Sequence, residues 1–296
     1  MKLFILYNPH AGAGRAKKIL PKVREKFNDL NIDTEFFITQ HPSHGTEVIT
    51  NLDFSGYDGI VAAGGDGTLF ETINGYFRND SVKRPPIGIL PIGTGNAFAR
   101  DLHLDSTIWE EAVEVISLNR PRKVDVGKFS TEGTIYYYLN ILGLGFVSDV
   151  TKTALKLKIF GNVAYLLGVF YQTILLKSHK LTITIDGKKF ERDNTFVEIS
   201  NTRFTSNFLM APDAEIDDGF LDVTLLSKCT RRQLLKALPT VFTGEHVKLD
   251  IVETFKAKKI EIQTNVPKVL TPDGEVLGST PVNIECLYHA VEVFGR

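Results

Sequence analysis

Gly59-Ile60-Val61-Ala62-Ala63 is a short apolar run; Gly64-Gly65-Asp66-Gly67-Thr68 follows it without a break, and Leu69, Phe70, Ile73, Tyr76 and Phe77 continue at helical spacing. Strand, glycine turn and helix in direct succession constrain the fold more than any other feature of the chain. The same alternation runs through the first 125 residues. Strands are expected at Lys2 to Tyr7, Asp33 to Thr39, 59–63 and Ile87 to Pro91, with helices at Ala16 to Asn28, Gly45 to Leu52, 69–77, Phe98 to Leu102 and Ile108 to Leu118. Short apolar strands separated by helices predict a parallel sheet covered on both faces, with any ligand at the strands' carboxyl ends.

After Val124 the texture changes. Tyr136 to Leu142, Leu181 to Ile185, Phe196 to Ser200, Leu221 to Leu226, Ile260 to Thr264, Lys268 to Leu270 and Val282 to Cys286 read as strands, with hairpin turns at Asp186-Gly187 and Asp273-Gly274. Helical content is confined to about 150–176 and 230–243. A chain of 296 residues holds one large core or two ordinary ones. The reading is therefore an α/β domain over 1–125 and a mostly β domain over 126–286, with the tail 287–296 able to return to the first. The two are expected to abut and form a cleft.

Charge and cysteine content exclude several classes. Lys and Arg (34) nearly cancel Asp and Glu (35), so no global field recruits nucleic acid. Cys229 and Cys286 lack C-x-x-C partners, which argues against a zinc site or a disulfide framework and for two reduced thiols. Leu3 to Tyr7 is too short for a signal-peptide core, so a cytoplasmic protein is expected. The longest apolar stretch, Ile159 to Leu176, is interrupted by Gly161, Asn162, Gln172 and Thr173 and flanked by Lys156, Lys158, Lys177 and Lys180. No transmembrane span is expected there; it reads as a buried helix or as one lying on a membrane surface with its lysines toward lipid phosphates.

Three glycines let backbone N–H groups approach a phosphate, and the following helix points its positive end there. The loop is neither a Walker A, for no Gly-Lys-Ser/Thr follows, nor a dinucleotide fingerprint, for the spacing fails. A sharp turn that needs glycine is the bland alternative. Two further loops fall on the same sheet edge: Asn8-Pro9-His10-Ala11-Gly12-Ala13-Gly14-Arg15 and Pro91-Ile92-Gly93-Thr94-Gly95-Asn96. Three such loops on one edge indicate a nucleotide site. Of seven scattered histidines, only His10 lies in a phosphate-facing loop.

These residues, with Phe98-Ala99-Arg100, Val124-Asp125-Val126-Gly127, Asn140…Gly143…Gly145-Phe146, Ala211-Pro212-Asp213-Ala214…Asp218-Gly219…Leu221-Asp222 and Asp273-Gly274-Glu275, resemble the diacylglycerol kinase catalytic-domain family, which includes bacterial soluble lipid kinases and sphingosine kinases. The resemblance implies an α/β domain with a parallel sheet like that of NAD kinase and diacylglycerol kinase, followed by a β sandwich. It also implies transfer of the ATP γ-phosphoryl group, with Mg²⁺, to the hydroxyl of a lipid: diacylglycerol, a related lipid or a sphingoid base. Gly64, Gly65, Asp66, Gly67 and Thr68 would hold the nucleotide, with Asn8, Gly12, Gly14, Thr39, Thr94 and Asn96 lining its pocket. Asp273 would be the catalytic base, supported by Glu275, and Asp218 would bind a structural Mg²⁺. The partner would be a lipid at a membrane surface, met peripherally on its cytoplasmic face, with oligomeric state left open.

Asp273 also has a physical case. Phosphoryl transfer is mostly positioning and charge neutralisation, and an aspartate beside the acceptor oxygen orients the hydroxyl and takes its proton late. Taken locally, Pro272-Asp273-Gly274 is an ordinary hairpin turn and the Asp213–Asp222 stretch a solvated acidic one. Two departures from the family pattern stand out. Ala97 replaces an aspartate usual in bacterial diacylglycerol kinases, and Asn201 to Asn207 replaces a glycine-rich stretch. The competing readings are NAD kinase, which shares the G-G-D-G-T loop, and a lipid-binding protein that has lost catalysis.

Overall fold

The computed structural model describes residues 1–104, 107–156, 164–206 and 208–295. The chain divides into two compact units, Met1–Val126 with Tyr288–Arg296, and Gly127–Leu287.

Unit 1 alternates strand and helix: β1 (Lys2–Tyr7), α1 (Arg15–Asp29), β2 (Asp33–Ile38), α2 (His44–Asn51), β3 (Gly59–Gly64), α3 (Asp66–Arg78), β4 (Ile87–Pro91), α4 (Ala97–Asp101) and α5 (Trp109–Ser117). The strands lie in the order β4-β3-β1-β2, every pair parallel. β3 and β4 are buried from end to end, as strands covered on both faces must be. Helix α1 turns Ala16, Val23 and Phe27 inward, and the buried Tyr7 hydroxyl donates to the Ala16 carbonyl at 2.6 Å, tying that helix to the sheet.

Unit 2 is mostly β. Its elements are β5 (Pro121–Thr131, which starts in unit 1), β6 (Thr134–Tyr138), β7 (Ile141–Gly145), α6 (Phe146–Lys156), α7 (Ala164–Ile174), β8 (His179–Ile185), β9 (Lys188–Ser200), β10 (Phe204–Thr205), β11 (Phe208–Leu209), β12 (Leu221–Ser227), α8 (Arg231–Ala237), β13 (Val252–Ala257), β14 (Lys259–Thr264), β15 (Leu270–Pro272) and β16 (Val282–Phe294). β5–β6, β7–β9, β7–β15, β8–β9, β8–β14, β9–β12, β12–β13 and β14–β16 all pair antiparallel. β9 meets β8 along its first half and β7 along its second, with β12 on its other edge, and β14 sits between β8 and β16. Phe146, Val150, Phe196, Met210, Leu226 and Leu234 form an apolar core joining helices α6 and α8 to β9 and β12. β16 ends inside unit 1, where Val293 pairs in parallel with Ile87 of β4.

Several strands differ from the periodicity. Residues 136–142 read as one strand but divide into β6 and β7, because the N–H groups of Leu139, Asn140 and Ile141 turn aside to the Asp273 carboxylate. The strand expected at 268–270 lies at Leu270–Pro272, and β13 was not anticipated. Helix α8 ends at Ala237 and passes into a 3-10 turn, Leu238–Phe242, as Pro239 cannot donate to a continuing helix. The helix expected over 159–176 includes residues 159–163, which lie outside the described residues, as do Lys158 and Asn207. Its described part, α7, exposes Leu167, Tyr171 and Ile174, with Leu175 just beyond its end. No helix among the described residues is long and apolar enough to cross a membrane.

Candidate active site

Three turns converge at the carboxyl ends of β1, β3 and β4, and they touch through main chain. A methyl group on Gly12 would stand 2.7 Å from the Ile92 carbonyl oxygen; one on Gly93 would collide with the backbone of Gly65; one on Gly95 would strike the Asp66 carboxylate. Glycine is required here because neighbouring backbone fills the space a side chain would take. Gly12, Ala13 and Gly14 all adopt positive φ, and Gly14 faces open space. Side chains then lock the turns together. Asn8 Nδ2 donates to Thr68 Oγ1 at 3.1 Å, and Asn8 Oδ1 accepts from the His10 N–H. Thr39, at the end of β2, is buried and donates through its N–H to the Tyr7 carbonyl, next to Asn8; Thr94 is exposed. Nine of the residues expected to line a nucleotide pocket thus belong to this edge, with Gly14 and Thr39 at its flanks.

Charge at the edge is concentrated on Asp66. Its carboxylate is enclosed although the residue keeps one exposed side, and it accepts the Ala97 N–H at 2.8 Å. Burial pushes the carboxyl above the usual aspartate range, opposed by the N–H groups of Ala97 and Asn96 and by the Arg100 charge. Asn96 adopts φ 53°, donates through Nδ2 to the Gly93 carbonyl, and leaves its buried Oδ1 without a partner. Helix α3 starts at Asp66 with no side-chain cap, so first-turn N–H groups face the same edge. A cradle made of backbone and an uncapped helix terminus fit a phosphate, and the orphaned Asn96 oxygen, an acceptor, fits a donor group or a cation beside it. Only Asp66 among the expected pocket residues is a carboxylate, so a metal here would draw its remaining ligands from the nucleotide and water.

Asp273 and Gly274 occupy the two central positions of a hairpin turn, at φ 45° and 86°, closed by the Glu275 N–H donating to the Pro272 carbonyl at 2.8 Å. The Asp273 side chain is 7% exposed. Its carboxylate accepts from Leu139 N–H at 3.2 Å and from Asn140 and Ile141 N–H at 3.0 Å each. Three main-chain donors fix the orientation of its carboxyl group. Tyr138, fully buried beside this turn, keeps its phenol neutral through burial, and its hydroxyl has no hydrogen-bond partner. Glu275 is exposed on the same turn. Asp218 belongs to a separate cluster: Oδ1 accepts from Phe220 N–H and Oδ2 receives the Lys256 ammonium at 2.5 Å, which also lies 3.5 Å from Asp222 Oδ2.

The profile of the diacylglycerol kinase catalytic domain matches residues 2–129, and that of the YegS C-terminal NAD kinase beta sandwich-like domain matches residues 141–295. Diacylglycerol kinases of Staphylococcus carnosus and Staphylococcus haemolyticus are 32% and 34% identical over 293 and 292 residues, each alignment covering 98% of this chain and 94% and 86% of the relative. The chain belongs to the diacylglycerol kinase catalytic-domain family. The solved structure of a diacylglycerol kinase from Bacillus anthracis str. Sterne superposes with a TM-score of 0.80 at 27% identity, covering 100% of this chain and 97% of that one. An α/β domain with parallel strands followed by a mostly β sandwich is therefore the architecture of this family, and membership makes the chain a kinase.

Two glutamates in this family member escaped the sequence reading. Glu71 on α3 accepts the N–H groups of Ser43 and Gly45 at 2.8 Å each, pinning the start of α2 and the segment that carries Thr39. Helical spacing marks it as a neighbour of Thr68 but cannot show that it reaches another element. Glu198 on β9 is 1% exposed, and its Oε1 accepts from the hydroxyls of Thr205 at 2.5 Å and Ser200 at 3.4 Å. Burial pushes it up to about 7 against the weaker pull of those hydroxyls. No motif carries it; a glutamate between Val197 and Ile199 in an apolar strand was the only signal. A structural Mg²⁺ on Asp218 does not fit the turn as it stands, since the ammonium of Lys256 holds the outward oxygens of Asp218 and Asp222.

Proposed function

We propose that this chain transfers the γ-phosphoryl group of ATP to the hydroxyl of a lipid, diacylglycerol or a related acceptor with sphingoid bases included. The observation that carries the reading is the set of three glycine-rich turns packed together at the carboxyl edge of β1, β3 and β4, with the buried, unpartnered Oδ1 of Asn96 among them. The turn N–H groups and the terminus of α3 would bind the phosphates; Asn8, Thr39, Thr94 and Asn96 would line the remainder. Mg²⁺ bound with the nucleotide would neutralise phosphate charge. Asp273 would accept the proton of the acceptor hydroxyl, its carboxylate held in orientation by the 139–141 turn, with Glu275 in support.

The assignment of Ala97 supports an active enzyme. The contribution of position 97 to Asp66 runs through its N–H, which alanine supplies as well as aspartate. Membrane contact would be peripheral, from the cytoplasmic side. The exposed Leu167, Tyr171, Ile174 and Leu175 offer an apolar ridge, and Arg231, whose side chain donates to the Ile174 carbonyl, brings positive charge to its end.

A panel of diacylglycerol, sphingoid bases and phosphatidylglycerol with labelled ATP and Mg²⁺ tests this. Label in at least one lipid, lost in Asp66→Ala and Asp273→Asn, is the expected result. NADP formed from NAD and ATP, or lipid binding with no turnover of ATP on any acceptor, would overturn it.

A further inference from the structure

An acidic turn of five carboxylates, Asp213, Glu215, Asp217, Asp218 and Asp222, precedes and enters β12. Like charges packed this closely need a counter-charge. The register supplies one. Asp222 and Lys256 are directly opposite in the antiparallel β12–β13 pair, and from there the lysine reaches both carboxylates that point toward it, Asp218 at 2.5 Å and Asp222 at 3.5 Å. Asp222 Oδ2 is buried and has no hydrogen bond, so the ammonium is the charge that compensates it. The other Asp218 oxygen is taken by the Phe220 N–H, and Lys258 lies over the Phe220 ring at 4.9 Å. Gly219, at φ 80°, makes the tight bend that brings Asp218 back over Asp222.

We propose that the Lys256 ammonium occupies the position of a divalent cation in this turn, so that the fold of unit 2 is stable without bound Mg²⁺. A divalent ion bound through these carboxylates would compete for the same oxygens, at near-octahedral geometry and after partial dehydration, with a covalently tethered cation present at high local concentration. The side is accessible. A pocket of about 150 Å³ lined by Asp213, Asp222 and Lys256 opens beside the pair, so an ion in solution is not excluded by burial. Any dependence of this protein on Mg²⁺ then belongs to the nucleotide alone.

The test uses the full chain with neither nucleotide nor lipid, so its outcome is independent of the proposed activity. Tm is measured in EDTA and in millimolar Mg²⁺ at matched ionic strength for the wild type, Lys256→Met, Lys256→Arg and Asp218→Asn. The quantity read is the part of the Mg²⁺ shift that Asp218→Asn abolishes. It should be zero in the wild type and in Lys256→Arg. In Lys256→Met the Tm in EDTA should fall and Mg²⁺ should restore several degrees. A wild-type shift lost in Asp218→Asn would overturn the proposal. So would a Lys256→Met protein that Mg²⁺ leaves unmoved. Where Lys256→Met does not fold, the wild type read against Asp218→Asn decides; where Asp218→Asn does not fold, a Mg²⁺ shift larger in Lys256→Met than in the wild type supports the proposal and an equal shift overturns it.

Discussion

The carboxyl edge of unit 1 and the interior of unit 2 both hold charge away from bulk water, and they do so with different materials. The edge is mostly main chain: glycines at 12, 65 and 93 pack backbone on backbone, Gly95 leaves room for the Asp66 carboxylate, and Asp66 accepts from N–H groups. In unit 2 one carboxylate, Asp273, is again held by N–H groups, three of them, whereas Glu198 is held by two hydroxyls. An N–H can only donate, so it favours the ionised form of the carboxylate it meets. A hydroxyl can donate or accept, so it tolerates the carboxyl in either state. At Asp66 and at Glu198 alike burial outweighs the donors and raises the carboxyl, whether those donors are N–H groups or hydroxyls.

Asp273→Asn strikes this contrast hardest. An amide must turn a donor toward the 139–141 N–H groups, and a lost base lowers kcat by about 10²–10⁴-fold. Kinetics and Tm are read together: a fall in Tm with kcat within tenfold of wild type would make Asp273 a pin for the turn and move catalysis elsewhere. Glu198→Gln tests the hydroxyl-held acid. The folded chain keeps the Glu198 proton up to about pH 7, while the unfolded chain releases it near the ordinary glutamate value of 4.5. The folded state therefore binds more protons over that interval, and stability falls as pH rises through it. The substitution should flatten that slope and stabilise the protein above pH 7 by on the order of 3 kcal/mol. Denaturant titrations at acid and alkaline pH measure it, and an unchanged slope would mean that Glu198 stays ionised.

Glycine substitutions separate crowding from conformation at the edge. Gly12→Ala meets both the Ile92 carbonyl and positive φ, whereas Gly14→Ala meets positive φ alone. The first should cost about 1–3 kcal/mol more than the second and weaken nucleotide binding with it. Equal losses of stability and affinity would show that the turns yield, and that close packing of backbone is not what shapes the edge. The smallest effect on stability is expected on α7. Leu167→Ser with Ile174→Ser should change Tm little, as exposed positions shift stability by about 0.5 kcal/mol or less. Sedimentation with anionic liposomes should nevertheless fall; unchanged sedimentation would remove α7 from any membrane-facing role.

The parallel half of the fold was legible because its signals are local. Each strand of unit 1 ends within a residue or two of a glycine, asparagine or threonine turn, and β4 falls on Ile87–Pro91 as periodicity predicts. Unit 2 was less legible because a distant group reorganises local preference. Tyr136 to Leu142 has the composition of one strand, and only a carboxylate more than a hundred residues later breaks it at Asn140. Pro272-Asp273-Gly274 proved to be the hairpin turn its residues suggest, while the burial of the Asp273 side chain depends on partners that no local window contains. Lys256 was silent for the same reason: its place opposite Asp222 is a matter of strand register.

β16 has a consequence for synthesis. Val291, Val293 and Phe294 are buried in unit 1, Phe294 packs where Gly59 lacks a side chain, and Val293 closes the open flank of β4. Unit 1, which leaves the ribosome before unit 2, therefore waits for a strand made after unit 2, and the intervening unit can fold before its predecessor is complete. A nascent chain halted before Tyr288 would hold an unfinished sheet edge, a template for pairing with other chains until the final strand arrives.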